Sequence, residues 1–417
     1  MPLPSSRYLT SDVPGSPGVI RSDPSDFRVE ERLPFRPRGF GPFALILVEK
    51  RGISTPEAIR RLSHMFQVPQ KQIGYAGLKD SEAVALQHFT LPGVRSEDAD
   101  GREFTDGRVL QTWSHDAPLF LGALQGNHFD IRVREIGKGF AERARAILAE
   151  LERRGVPHLY GEQRFGVRGE GPALGRALLS NDAEAFLSHL LGRPSDLERD
   201  PRVRQARDLY DRGDTAAAWK AFPAHRRLER RALEGFLRGL TPAEVLYTIP
   251  ATDKRFFLTS YQSMVFNRAL LRRLPGLDVV WEGDLVREEG TERVRLAAGL
   301  PRDQAAAEGF RLSPTGMLPG YAVALALGRQ GILEREVFEE EGLRPGDFRK
   351  PAGLPCRGER RPLRIRISEV TVREEEGAVC LSFFLPRGAF ATSVLREIFK
   401  PGQEPEAVLG RIPDLFL

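Results

Sequence analysis

The segment of this 417-residue chain best equipped for chemistry is Gly74-Tyr75-Ala76-Gly77-Leu78-Lys79-Asp80. Two glycines bracket a short turn that runs into a Lys-Asp pair. Glycine lets a backbone come close to a ligand, and a loop can display a carboxylate that a packed element would hide. An aspartate so placed can serve as nucleophile or general base. The same pattern also fits an ordinary turn or a helix cap. It is not a phosphate-cradling Walker loop, because the Gly-Lys-Ser/Thr ending is absent.

Three further segments interleave polar and aromatic groups. Arg21 to Glu31 (RSDPSDFRVEE) sets a cation before an acidic turn and a strand. Asn127-His128-Phe129 offers an amide beside a ring, a pair able to bond and stack a base, although Phe129 suits a core position equally well. Tyr160 to Gly166 (YGEQRFG) repeats the mixture between glycines. The seven histidines lack metal-ligand spacing, so no metal site is expected. Cys356 and Cys380, the two cysteines, make neither a disulfide framework nor a paired-Cys zinc site.

Composition bounds the setting. An apolar share of 41% with 29% charged residues is that of a folded soluble protein, and the length suits two or three domains. No run approaches the roughly 18 apolar residues of a membrane helix. The richest, Tyr321 to Leu327, reads as a buried strand or helix segment. The N-terminus has no charged start followed by an apolar block, so a reduced cytoplasmic location is expected. A net charge of +5 permits a polyanionic partner without requiring one. Only eight lysines contribute, and arginine supplies the rest. Arginine forks onto phosphate and stacks on bases, but a GC-rich genome would give the same bias.

The elements that must position these groups fall into two textures. Phe43–Val48 reads as a buried strand, His88–Leu91 and Phe129–Arg134 as further strands. Pro56–Phe66 reads as a helix, with Thr55 as its cap and Ile59, Leu62 and Phe66 on one face. From about residue 158 helical patterns dominate, over Pro172–Leu190 and Ala216–Leu240. Gly342 to Glu359, rich in Gly, Pro and Arg, has the composition of a linker. Strand-like runs return at Leu363–Ile367 and Val379–Leu385, and an amphipathic helix follows at Ala391–Phe399.

Six segments in this order (SDPSDFRVEE, GYAGLKDSEAVALQ, LGALQGNHFDIRVRE, GVPHLYGEQRFG, FLTSYQSMVFNRAL and LSFFLPRGAFATSVLREI) resemble the TruD family of pseudouridine synthases over nearly the whole chain. The resemblance implies an α+β fold. A pseudouridine-synthase catalytic domain with a mixed or antiparallel sheet, residues 1–157 and 351–417, would be interrupted by a largely helical TRUD domain at 158–350. It places Asp80 at the family's catalytic aspartate, Phe129 at the aromatic against the target base and Asn127 at its neighbouring amide. Arg21 falls on a basic position of the cleft, and Lys79 adjoins Asp80 among the substrate-binding candidates. The implied reaction isomerises a uridine of tRNA, at position 13, without a cofactor.

The target base must leave its stack, so basic surface is expected to hold the tRNA backbone. Arg226, Arg227, Arg230 and Arg231 are RNA-contact candidates, equally consistent with a solvated helix face paired to Glu229 and Glu234. Arg360, Arg361, Arg364 and Arg366 are a second group, with alternation placing Arg364 and Arg366 on one strand face. Tyr261-Gln262-Ser263 and Phe266-Asn267 fit structural roles, and Pro386-Arg387-Gly388 fits a turn before the last helix. Two other readings fit less well. A non-catalytic RNA-binding protein sits poorly with the Lys79-Asp80 pair, and a methyltransferase would need a cofactor loop after a strand. Oligomeric state, with a monomer allowed, does not follow from the sequence.

Overall fold

A computed structural model describes residues 8–401 apart from Asp80, Val167, Arg199 and Lys350. The chain divides into two compact units. One is Pro157–Arg364; the other joins Thr10–Val156 to the segment that returns from Ile365.

The second unit is built on a nine-stranded sheet. Its strands include β1 (Phe27–Arg32), β2 (Phe43–Arg51), β3 (Gly74–Tyr75), β4 (Val84–Pro92), β5 (Glu103–Phe104), β6 (Gly107–His115) and β7 (Gly126–Arg134). The returning segment adds Ser368–Glu375 and Ala378–Pro386. The order runs Ser368–Glu375, Ala378–Pro386, β7, β1, β4, β2, β6, β5, with β3 on β4. β1 and β4 are parallel and the other pairs antiparallel, so the sheet is mixed. Helices α1 (Thr55–Phe66), α2 (Ser96–Ala99), α3 (Phe140–Arg154) and Ala391–Phe399 complete the unit.

Central β2 is apolar from Phe43 to Val48 because both of its faces are covered. Ala58, Ile59 and Leu62 of α1 pack with Ile46, Val48, Phe89 and Leu91 of β2 and β4. On β1 burial alternates, with Phe27, Val29 and Glu31 inward. That alternation drives one carboxylate onto the apolar face. Pro386 to Gly388 turns the chain into the last helix, with Gly388 at φ +78°, a conformation glycine adopts without strain.

The other unit is mainly helical. Helices Gly171–Leu179, Ala183–Leu191, Pro201–Asp211, Thr215–Ala221, Arg227–Leu237 and Pro242–Thr248 surround the long helix Ala251–Arg273. Their core includes Leu178, Phe186, Leu191, Phe222, Leu233 and Val265. A four-stranded sheet, Val294–Leu296, Leu285–Glu288, Leu312–Leu318 and Glu359–Pro362 in that order, also belongs to it.

Several local expectations change. The helical stretches at 172–190 and 216–240 are each two helices. Asp182 caps the second helix of the first pair, and Thr215–Ala221 ends before Arg227–Leu237 begins. Tyr321–Leu327 is neither strand nor helix, and Leu325 and Leu327 are exposed; the run lacks the period of either element. The linker-like stretch before Glu359 contains 3-10 turns, and its Phe348 is buried. The α+β class with a mixed sheet stands.

Candidate active site

The Gly74–Lys79 loop starts as β3, with Gly74 opposite Thr90 and Tyr75 opposite Phe89. Two side chains then fix its far end. Gln87 Nε2 donates to the Gly77 carbonyl at 2.6 Å. The Thr55 hydroxyl accepts the Lys79 N–H at 2.9 Å and donates to Gln87 Oε1 at 3.0 Å. Thr55 is free for this task because Ser54, not Thr55, caps α1, its Oγ accepting from the Glu57 N–H at 3.3 Å. A one-residue shift of the helix start thus turns an expected cap into a support for the loop.

The Lys79 side chain points into the protein. Its ammonium lies 2.8 Å from Glu31 Oε2 and donates to Asn127 Oδ1 at 2.6 Å, with Lys79 and Glu31 side chains 3% and 0% exposed. Glu31 and Asn127 are cross-strand partners on β1 and β7, so the sheet register presents both to the ammonium. Glu31 Oε1 also accepts the His88 N–H at 3.2 Å, with His88 Nδ1 3.5 Å away. Burial pushes the Glu31 carboxyl up, but the His88 hydrogen bond and the Lys79 charge outweigh it and leave its pKa below the ordinary value of 4.5. The Glu31 carboxylate is ionised at neutral pH.

Asp80, the candidate catalytic carboxylate, lies outside the described residues. Lys79 is held as above, and Glu82 Oε2 lies 3.8 Å from Arg21 Nη1. Arg21 has a φ of +60°, unusual for a residue with a side chain, and its guanidinium covers the Phe27 ring at 4.4 Å. Phe27 meets Phe129 edge-on at 6.1 Å, and Phe129 meets Phe383 at 5.6 Å. Phe129 is 7% exposed, on the same β7 face as Asn127. Lys79 and Asn127 therefore touch, Arg21 reaches the loop after position 80, and Phe129 is joined to Arg21 through Phe27.

The arginine candidates divide. Arg230 donates to the Trp219 and Phe222 carbonyls at 2.8 and 3.0 Å and covers the Trp219 indole at 4.2 Å. Arg226 bonds Glu229 at 3.3 Å. Arg227 and Arg231 are exposed on the same helix. In the second group Arg360 is buried against Glu334 at 2.8 Å, and Arg364 is buried over Phe310 while Arg366 is exposed. The strand there spans only Arg364–Ile365, too short for the expected alternation. Buried Arg207, bonded to Glu198 at 2.8 Å, is a further structural cation. Tyr261 and Asn267 are structural as well, bonding Glu341 at 2.8 Å and both backbone groups of Tyr160 at 2.9 Å.

Sequence reading missed the roles of Glu31, Thr55, Gln87 and His88. Two of them carry a signal. Phe27-x-Val29-x-Glu31 puts an acid on a buried face, and Gln87 interrupts an apolar strand. Such groups require polar partners inside the fold.

A sequence model described as tRNA pseudouridine synthase D (TruD) matches residues 5–398. The chain is 39% identical over 399 residues to a tRNA pseudouridine synthase D of Geobacter sulfurreducens, covering 95% of this chain and 98% of that protein. It is 38% identical over 396 residues to the one of Syntrophotalea carbinolica, with 95% and 99% covered. A crystal structure described as TruD from Methanosarcina mazei superposes with a TM-score of 0.80 at 28% identity, covering 94% of this chain and 95% of that one.

Proposed function

Because the chain belongs to the TruD family, we propose that it isomerises a uridine of tRNA to pseudouridine, at position 13, with Asp80 as its catalytic carboxylate and no cofactor. One observation carries the residue assignment. The loop that leads to position 80 is held at Gly77 and Lys79 by Thr55, Gln87, Glu31 and Asn127.

The reaction breaks the N1–C1′ bond, turns the uracil and forms a C5–C1′ bond; C5 loses a proton and N1 gains one. Asp80 acts on the ribose, by adding to C1′ or by removing the C2′ proton. Both routes require an ionised carboxylate beside the sugar. Arg21 is the cation of this site. Asn127 orients the base, and its polarity is fixed by Lys79: an ammonium only donates, so it claims Oδ1 and leaves the Asn127 N–H pair to a uracil carbonyl. Phe129, packed between Phe27 and Phe383, is the apolar support under that base. Lys79 is a positioning residue whose charge serves Glu31 and Asn127.

The helical unit is the family's inserted domain, expected at 158–350, and Arg227 and Arg231 are its backbone-contact candidates. The deciding experiment incubates total tRNA with purified protein and maps pseudouridine at single-nucleotide resolution, with Asp80→Asn as control. A new pseudouridine at position 13, absent with the variant, is the expected result. Modification elsewhere refutes the target, and unchanged activity in Asp80→Asn refutes the carboxylate.

A further inference from the structure

Beside the candidate site the protein holds apolar side chains out in water on a rigid loop. Phe120 is 71% exposed and Leu121 65%, while Leu78 of the neighbouring loop is 67% exposed. The loop that carries Phe120 is well anchored. Leu119 N–H donates to Thr90 Oγ1 at 3.0 Å, Ala123 N–H to the Phe120 carbonyl at 3.0 Å, and Gly122 N–H to the Ala76 carbonyl at 2.7 Å. Arg387 Nη1 donates to the Gly122 carbonyl at 3.3 Å. Leu119 and Ala123 beneath it are buried with Leu45 and Ala76. Gly74 lets the loop sit this close, since a Cβ there would lie 2.5 Å from the Leu119 carbonyl oxygen.

Phe120 borders a shallow cavity, open to solvent, of about 480 Å³, whose lining also includes Phe43, Tyr75, Pro92, Pro118 and Lys71. Its volume is in the range of small-ligand sites. Among the described residues the lining contains no carboxylate. Flat apolar walls with a single cation are the complement of an unpaired nucleobase and its phosphate, since every base offers a π-face and the phosphate a negative charge. The Gly122–Ala76 hydrogen bond joins the Phe120 loop to the segment that ends in Lys79.

We propose that this cavity is a second nucleotide site, which stacks one unpaired base of the substrate RNA between Phe120 and Tyr75 with Lys71 on its phosphate. The inference rests on the substrate being RNA, as in the preceding proposal. Holding one base out of the stack removes part of the cost of extruding the target uridine next to it.

The test uses the full-length protein with Phe120→Ala, Phe120→Tyr and Lys71→Gln, measuring tRNA Kd at several salt concentrations alongside pseudouridine formation. Phe120 is largely exposed, so its replacement leaves the core intact. Phe120→Ala is expected to raise Kd and KM together by about tenfold, the size of one lost base–aromatic stack, and Phe120→Tyr to restore binding. Lys71→Gln is expected to reduce the salt slope by about one. A Phe120→Ala protein with unchanged Kd and KM overturns the site while leaving the isomerase reading intact. Phe120-dependent tRNA binding without any pseudouridine keeps the site and refutes the isomerase reading. A wild-type protein that binds no RNA overturns the site, as does a dimer in sedimentation that Phe120→Ala dissolves without affecting RNA affinity.

Discussion

Replacing Glu31 by glutamine removes the anion that faces Lys79 at 2.8 Å, where the two side chains are 0% and 3% exposed. At an effective dielectric constant of about 20, unit charges at the separation seen here (2.8 Å) attract by about 6 kcal/mol. Part of this only offsets desolvation, and loss of one partner from a buried pair costs about 3–5 kcal/mol. Glu31→Gln should therefore destabilise the sheet unit by that amount, because the ammonium stays buried without its counter-ion. Glu31→Gln with Lys79→Met removes both charges, keeps an acceptor for the His88 N–H, and should recover at least about 2 kcal/mol of the loss. Urea denaturation of the full-length protein, read by hydrogen exchange in β1 and β7 peptides, separates this unit from the helical one. The acid side gives an independent check. The folded Glu31 pKa is depressed, so its contribution is present above the ordinary value of 4.5 and lost as pH falls through the lower folded value. Glu31→Gln should erase that slope. A cost below about 1 kcal/mol for Glu31→Gln, or a double variant no better than the sum of the singles, would refute the idea that this pair holds the loop.

Other consequences follow from the same geometry. Gln87→Leu strands the Gly77 carbonyl and loosens the loop; single-turnover kinetics should show the rate of pseudouridine formation falling about 100-fold, more than affinity does. Arg227→Ala with Arg231→Ala should lower the salt slope of tRNA binding by about two without loss of stability. Arg230→Ala should instead destabilise the helical unit by about 1–3 kcal/mol, since it strands the Trp219 and Phe222 carbonyls, and a melting curve separates the two outcomes. Asp303, held at about 2 by its Arg295 hydrogen bonds and backbone donors, contributes stability above its ordinary 3.8 that is lost as pH falls toward 2. Asp303→Asn should flatten the acid limb of the helical unit's stability between those values.

Much of the sheet unit was legible because its signals are local. The Phe43–Val48 run, the alternation of Phe129–Arg134 and the last helix at Ala391–Phe399 all appear where periodicity puts them. The helical unit was less legible at its breaks, since a capping aspartate such as Asp182 looks like any surface residue within an Ala- and Leu-rich stretch. Arginine was the least readable residue. Arg227 and Arg230 differ by three positions on one helix, yet one faces water and the other binds two carbonyls and an indole. Sequence shows a charge, but whether it is free depends on what packs beside it.

For the candidate site, the sequence alone determined the loop Gly74–Asp80, the strand bearing Asn127 and Phe129, and the family to which they belong, because each is a contiguous string of residue types. Tertiary structure decided which groups serve the loop. Glu31, Thr55, Gln87 and Asn127 meet at Gly77 and Lys79 from β1, α1, β4 and β7, although each of these four residues lies more than 20 positions from the next along the chain. Their meeting is set by strand register and by a helix that starts one residue earlier than its sequence implies. Neither is fixed by any short stretch of sequence, because register follows from the packing of the whole apolar face.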